Sequence, residues 1–75
     1  MTNREKLESV LTDIIPGIDL TNTRMADEGL IDSFDMVALV GELMDAFDVT
    51  ISIDDILPEN FNSVDGILAL VEGVK

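Results

Sequence analysis

Residues 32–47 read Asp32-Ser33-Phe34-Asp35-Met36-Val37-Ala38-Leu39-Val40-Gly41-Glu42-Leu43-Met44-Asp45-Ala46-Phe47. Met36, Leu39, Val40, Leu43 and Phe47 recur at the spacing that lays one apolar stripe along a helix. The spacing predicts a helix over 33–47. Asp32 is a favourable N-cap, and Asp35 three residues on completes a capping box with Asp in place of the usual Glu. Both carboxylates stand at the positive end of the helix dipole.

Upstream, Leu7, Val10, Leu11, Ile14 and Ile15 keep helical spacing until Pro16-Gly17 stops them, which predicts a first helix over 3–15. Residues 16–31 form a long connection with turn formers Gly17, Asn22 and Gly29. Its apolar Ile18, Leu20, Leu30 and Ile31 are expected to tuck against the bundle. Downstream, Val49, Ile51 and Ile53 alternate with polar residues and predict an extended segment lining the core. Asp54-Asp55-Ile56-Leu57 before Pro58 predicts one short helical turn, and Phe61 an anchor. Asn62-Ser63 opens a last helix with Val64, Ile67, Leu68, Val71 and Val74 on one face, weakened by Gly66. The expected fold class is all-α: three main helices plus a short one, forming a single domain over 1–75.

With 75 residues, the chain is too short for a two-domain enzyme with a deep cleft. It is 47% hydrophobic and 27% charged, which excludes a disordered tail. Sixteen acidic residues against four basic ones give a net charge of −12. That balance excludes the counterion-releasing contacts on which nucleic-acid binding depends, and it disfavours anionic membrane surfaces. The expected partners are basic protein surfaces. Without Cys there is neither a disulfide framework nor a thiolate metal site. The polar N-terminus does not read as a signal peptide, and no apolar run approaches the ~20 residues of a membrane span. A soluble cytoplasmic monomer is expected.

With His, Cys and Tyr absent, the acids and nucleophiles left are carboxylates, hydroxyls and a few amines. Most carboxylates fall on predicted polar faces. No segment fits an EF-hand loop or a phosphate-cradling glycine loop, so no metal site is expected. One hydroxyl stands apart. Ser33 lies at the entry of the strongest helix, within Glu28-Gly29-Leu30-Ile31-Asp32-Ser33-Phe34-Asp35. On spacing alone it is either a helix cap or an exposed attachment site. A phosphate attached there would lie near free backbone N–H groups and the positive helix end, opposed by Asp32 and Asp35, so an outward-swinging tether is the better form.

Asp32-Ser33-Phe34-Asp35 resembles the Asp-Ser-Leu motif that opens the second helix of acyl carrier proteins. The likeness extends over essentially the whole chain. It includes the first helix ending at Pro16-Gly17, the long loop, Ala46-Phe47-Asp48, Ile51 and Ile53, and the entry Phe61-Asn62-Ser63-Val64. The resemblance implies an acyl-carrier-type four-helix bundle that is not itself an enzyme. It implies a covalent 4′-phosphopantetheine on Ser33, added by a phosphopantetheinyl transferase, whose terminal thiol holds cargo as a thioester. The chain has no thiol of its own to do this. Further implied partners are an acyl- or aminoacyl-activating ligase and an acyltransferase or synthase with a basic docking patch.

Docking is expected on the second helix. Phe34, Val37, Gly41 and Met44 form a stripe beside Ser33, away from the core line and rimmed by Glu28, Asp32, Asp35, Glu42, Asp45 and Asp48. The family often has a bulky apolar residue eight positions after the serine. Here that position is Gly41, and Met44 one turn later takes its part. Leu30-Ile31-Asp32-Ser33 resembles neither the Gly-Gly-x-Ser of peptidyl carriers nor the Gly-Ala-Asp-Ser-Leu of fatty-acid carriers. The run Glu28–Phe34 with Phe47-Asp48-Val49 is similar to D-alanyl carriers of Gram-positive cell walls. Asp35 and Asn60-Phe61-Asn62-Ser63 are equally similar to stand-alone acyl carriers of other pathways. The implied cargo is therefore D-alanine or a fatty or polyketide acyl group. An unmodified acidic adaptor that masks a basic surface, and a carboxylate-based enzyme, are the competing classes.

Overall fold

The computed structural model describes residues 2–73 and contains three α-helices. Helix α1 spans Asn3–Ile14. It opens with a capping box: Glu5 N–H donates to Thr2 Oγ1 at 3.1 Å, and Thr2 N–H donates to Glu5 Oε1 at 3.0 Å. Leu7 and Leu11 are fully buried, with Val10 and Ile14 packed beside them. Helix α2 spans Ser33–Phe47, the range its apolar period predicts, and buries Leu39, Val40, Leu43 and Phe47. Helix α3 spans Val64–Gly73 and buries Val64, Ile67 and Val71. Met36 and Leu68 are half-buried at the margin of the core. Val74, expected on the α3 stripe, lies outside the described residues. Helix α1 packs against both α2 and α3. Each large aliphatic or aromatic side chain in this shared core contributes about 1.5–3 kcal/mol by leaving water.

The chain between α2 and α3 departs from the expected single short helix. Two 3₁₀ turns occupy it, Ile53–Asp55 and Pro58–Phe61, and no strand occurs among the described residues. The break falls at Leu57, whose φ of −120° and ψ of 142° are the extended values imposed on a residue that precedes proline. Pro58 then starts the second turn, where its missing N–H costs nothing. Phe61 at its end is fully buried, as expected of an anchor. The alternation of Val49, Ile51 and Ile53 holds for two members only. Ile51 is buried and Val49 half-buried, but Ile53 is 83% exposed. Ser52 ends the extended run by capping the first 3₁₀ turn, its Oγ accepting from Asp54 N–H at 3.1 Å, and this rotates Ile53 outward.

In the long loop Ile18 and Leu20 pack on the core and Ile31 is buried, as expected. Leu30 does not tuck in; it is 38% exposed, and Met25 fills the core instead. The cause is one turn of helix-like backbone over residues 25–29. Gly29 closes it at φ +81°, and the Met25 carbonyl accepts from both Leu30 N–H (2.8 Å) and Ile31 N–H (3.2 Å). That left-handed closure suits glycine. Met25 and Ile31 therefore point into the core, with Leu30 at the surface between them.

Candidate functional site: the exposed start of helix α2

Ser33 is the first residue of α2 and is exposed. It is not the cap. Asp32 fills that position: its Oδ1 accepts from Asp35 N–H at 2.8 Å, while Asp32 N–H donates to Asp35 Oδ2 at 3.4 Å. The carboxylate pair thus satisfies the capping box predicted for it, and the Ser33 hydroxyl is left outside the arrangement. This removes the helix-cap reading of Ser33.

The first backbone amides of a helix have no acceptor within it, and the helix dipole is positive there. A phosphodiester on Ser33 Oγ would gain from both. Asp32 and Asp35 place two negative charges beside it, so this end of α2 suits an attached group that projects outward rather than one docked on the amides. The residues present thus fit a covalent tether.

Along α2 from Ser33, Phe34 is 87% and Val37 65% exposed, and Gly41, Glu42 and Asp45 are exposed. Met44 differs from the others of the expected stripe: it is half-buried and packs against the core. It follows Val40 by four residues, a net rotation of only about 40° at 100° per residue, and so borders the core line. The apolar surface beside Ser33 is therefore Phe34 and Val37, with Gly41 leaving an open notch where a built Cβ would meet no atom within 4 Å.

Its charge environment is one-sided. From residue 25 to residue 73 the sequence holds twelve acidic residues and no Lys or Arg. The described cations lie in α1 and the early loop, and none of them forms an ion pair with an α2 carboxylate. Arg4 pairs with Asp65 and Glu8, Arg24 with Asp27 at 3.9 Å, and Lys6 Nζ sits 4.9 Å from the centre of the Phe47 ring. Hydrogen bonding and charge from Asp65 hold the Arg4 guanidinium above its ordinary value. The α2 acids are left as an uncompensated rim, with Asp48 at the far end in a left-handed C-cap. Glu28 accepts from Asn22 Nδ2 at 2.7 Å.

A surface cleft of about 300 Å³ lies elsewhere, between Arg4 and Glu8 of α1, loop residues 20–23 and the start of α3. It includes no residue of α2. Among the described residues, no group of three or more acidic side chains is arranged to hold a metal ion, and no helix is long and apolar enough to cross a membrane.

Three helices around one core, with a free serine hydroxyl at the start of the second and an acidic, partly apolar face beside it, define a carrier-type domain. The family model for the phosphopantetheine attachment site matches residues 4–71. The chain belongs to that family, whose domain is the site of covalent 4′-phosphopantetheine attachment. Domains of this family are generally carriers, without catalysis of their own, that work with transferases, synthases and ligases. No curated protein and no solved structure matches the chain.

Proposed function

We propose that the 75 residues form a single carrier domain in which Ser33 anchors the phosphopantetheine arm. The observation that carries this reading is the exposed Ser33 hydroxyl, released from capping by Asp32 and Asp35. When bound, the arm supplies the terminal thiol on which an acyl or aminoacyl group rides as a thioester. The chain's own part is to present Oγ, keep the tether clear of the globule and offer partners a docking face. Phe34 and Val37 form the apolar centre of that face, Met44 its edge and Gly41 a notch, with Asp32, Asp35, Glu42 and Asp45 as an acidic rim. Such a rim steers docking onto Lys/Arg patches and makes association salt-sensitive. The domain acts as a cytoplasmic monomer, passing between a phosphopantetheinyl transferase, an activating ligase, and an acyltransferase or synthase.

Intact mass after co-expression with a broad-specificity phosphopantetheinyl transferase tests the anchor. The expected result is the gain of a single arm, absent in Ser33→Ala. No gain in the wild type would leave the acidic-adaptor reading. The cargo is D-alanine or a fatty or polyketide acyl group. The likeness of Glu28–Phe34 to D-alanyl carriers supports the first, and that of Asn60–Ser63 to stand-alone acyl carriers the second. Offering the loaded chain to a D-alanine-activating ligase and to an acyl-activating ligase, each with ATP, separates them by which thioester forms.

A further inference from the structure

The chain reaches Ser33 through the turn at residues 25–29, and the amides that open this turn all end on one distant residue. Met25 N–H donates to the Asn62 backbone carbonyl at 2.8 Å. Ala26 N–H and Asp27 N–H both donate to Asn62 Oδ1, at 3.1 and 3.0 Å. The opening amides of a helical turn have no acceptor inside it, so an outside acceptor decides whether so short a turn persists. Asn62 is that acceptor, supplied from just before α3. Its half-buried side chain is the only described one bonded to these amides.

The bonds then run on toward the attachment point. Glu28 N–H donates to the Arg24 carbonyl at 2.8 Å, and the Met25 carbonyl accepts from Leu30 and Ile31. Met25 and Ile31 are both in the core. The next residue is the cap Asp32, and the one after it is Ser33. We infer that Asn62 is a positioning residue for Ser33: by capping the 25–29 turn from outside, it fixes the chain that delivers the hydroxyl to the transferase. This rests on the carrier reading given above.

Removing the Asn62 side chain deletes the one oxygen that accepts from both Ala26 and Asp27 N–H, and leaves the backbone bond to Met25. The loop should then sample states in which Ser33 is misplaced. Loading slows in proportion to the competent fraction, which raises KM for the apo-carrier while kcat, set once the serine is seated, stays near wild type. The full-length apo chain, N62A and N62D are loaded from coenzyme A by the same transferase over a range of carrier concentrations. Amide exchange is followed in parallel.

N62A should raise KM roughly tenfold, the scale expected from two lost hydrogen bonds. It should also speed exchange at Ala26 and Asp27 while the α1 and α3 amides stay protected. N62D keeps an oxygen acceptor for both amides and should return KM close to wild type. An unchanged KM in N62A, an N62D chain as impaired as N62A, or unchanged exchange at Ala26 and Asp27 would overturn the inference. Loss of helical circular dichroism in N62A at the assay temperature would overturn it too, because Asn62 would then hold the fold rather than the loop. A wild type that takes no arm would sink the carrier reading and this inference together. A loaded wild type with an unaffected N62A sinks the inference alone.

Discussion

Gly41→Ala should stabilise the protein. Gly41 sits inside α2, where glycine costs about 0.5–1 kcal/mol relative to alanine because the unfolded chain has more freedom to lose. Whether that gain is collected depends on space. A Cβ built at Gly41 meets no atom within 4 Å, and the position is exposed, so the methyl group adds neither strain nor a cavity. A domain of this size shifts its melting temperature by roughly 4–8 °C per kcal/mol. The expected rise is therefore about 2–8 °C, read by far-ultraviolet circular dichroism on the apo chain at fixed salt and pH.

Gly66→Ala is the internal control. It too lies within a helix, but its Cβ would fall 3.2 Å from Ser63 Oγ and 3.8 Å from the Asn60 carbonyl. Ser63 Oγ has little room to move, since it accepts from Gly66 N–H at 2.9 Å as the cap of α3. The same propensity gain is opposed there by a bent cap bond. Gly41→Ala should thus melt higher than Gly66→Ala. Equal shifts at the two positions, or no rise for Gly41→Ala, would refute the reasoning that local space decides the sign.

Three further outcomes follow from the same geometry. Phe34→Ala removes a ring that is 87% exposed, so stability should stay within about 0.5 kcal/mol of wild type. Partner affinity should drop about tenfold in titration if the ring is a docking anchor; unchanged affinity would remove Phe34 from the docking face. Raising ionic strength from about 0.01 to 0.15 M shortens the Debye length from roughly 30 to 8 Å. The molecule's longest dimension is 29 Å, so the self-repulsion of its net charge of −12 spans the whole body at low salt, and its melting temperature should rise with salt. A flat salt response would contradict this. Finally, the Thr2 N–H, and after it the Thr2 hydroxyl, hold the Glu5 carboxyl below its ordinary value of 4.5. A carboxylate depressed on folding contributes stability that is present above the unfolded value and is lost as pH falls through the folded one. The stability of wild type relative to Glu5→Gln should be level above about pH 5 and shrink below 4.5. A difference that grows on acidification would reverse the sign assigned here.

Helix α2, its cap and the position of Ser33 were legible because each has a local signal: an apolar period, an Asp–x–x–Asp spacing, a run of consistent length. What escaped depends on partners far along the chain or on backbone geometry. Leu30 and Met25 are both apolar loop residues, and only the left-handed closure at Gly29 decides which faces inward. Ile53 keeps the strand period but is turned out by the Ser52 cap. Two 3₁₀ turns replace the expected short helix because proline sets the backbone before it. Asn62 was visible only as part of a helix opening. Its Oδ1 serves backbone amides 35 and 36 residues away, and amides carry no side-chain signature.

The order of the two residues at the start of α2 connects fold to function. A serine in the N-cap position spends its oxygen on the second or third amide of the helix. Here the aspartate occupies that position and bonds Asp35 N–H, so the serine one step later inherits the helix's exposed first turn without its obligations. Exchanging the two would preserve a cap of similar strength while tying up the only hydroxyl at this end of the helix. An alanine at the cap would leave the helix start unsatisfied. Stability alone is therefore indifferent to the order Asp-Ser, whereas the tether proposed for Ser33 needs it: a rigid helix start to hold the anchor, and an anchor that the helix itself does not use. The positioning role inferred for Asn62 would extend the same logic upstream, since its bonds go to loop backbone amides and leave the side chain at 33 uncommitted.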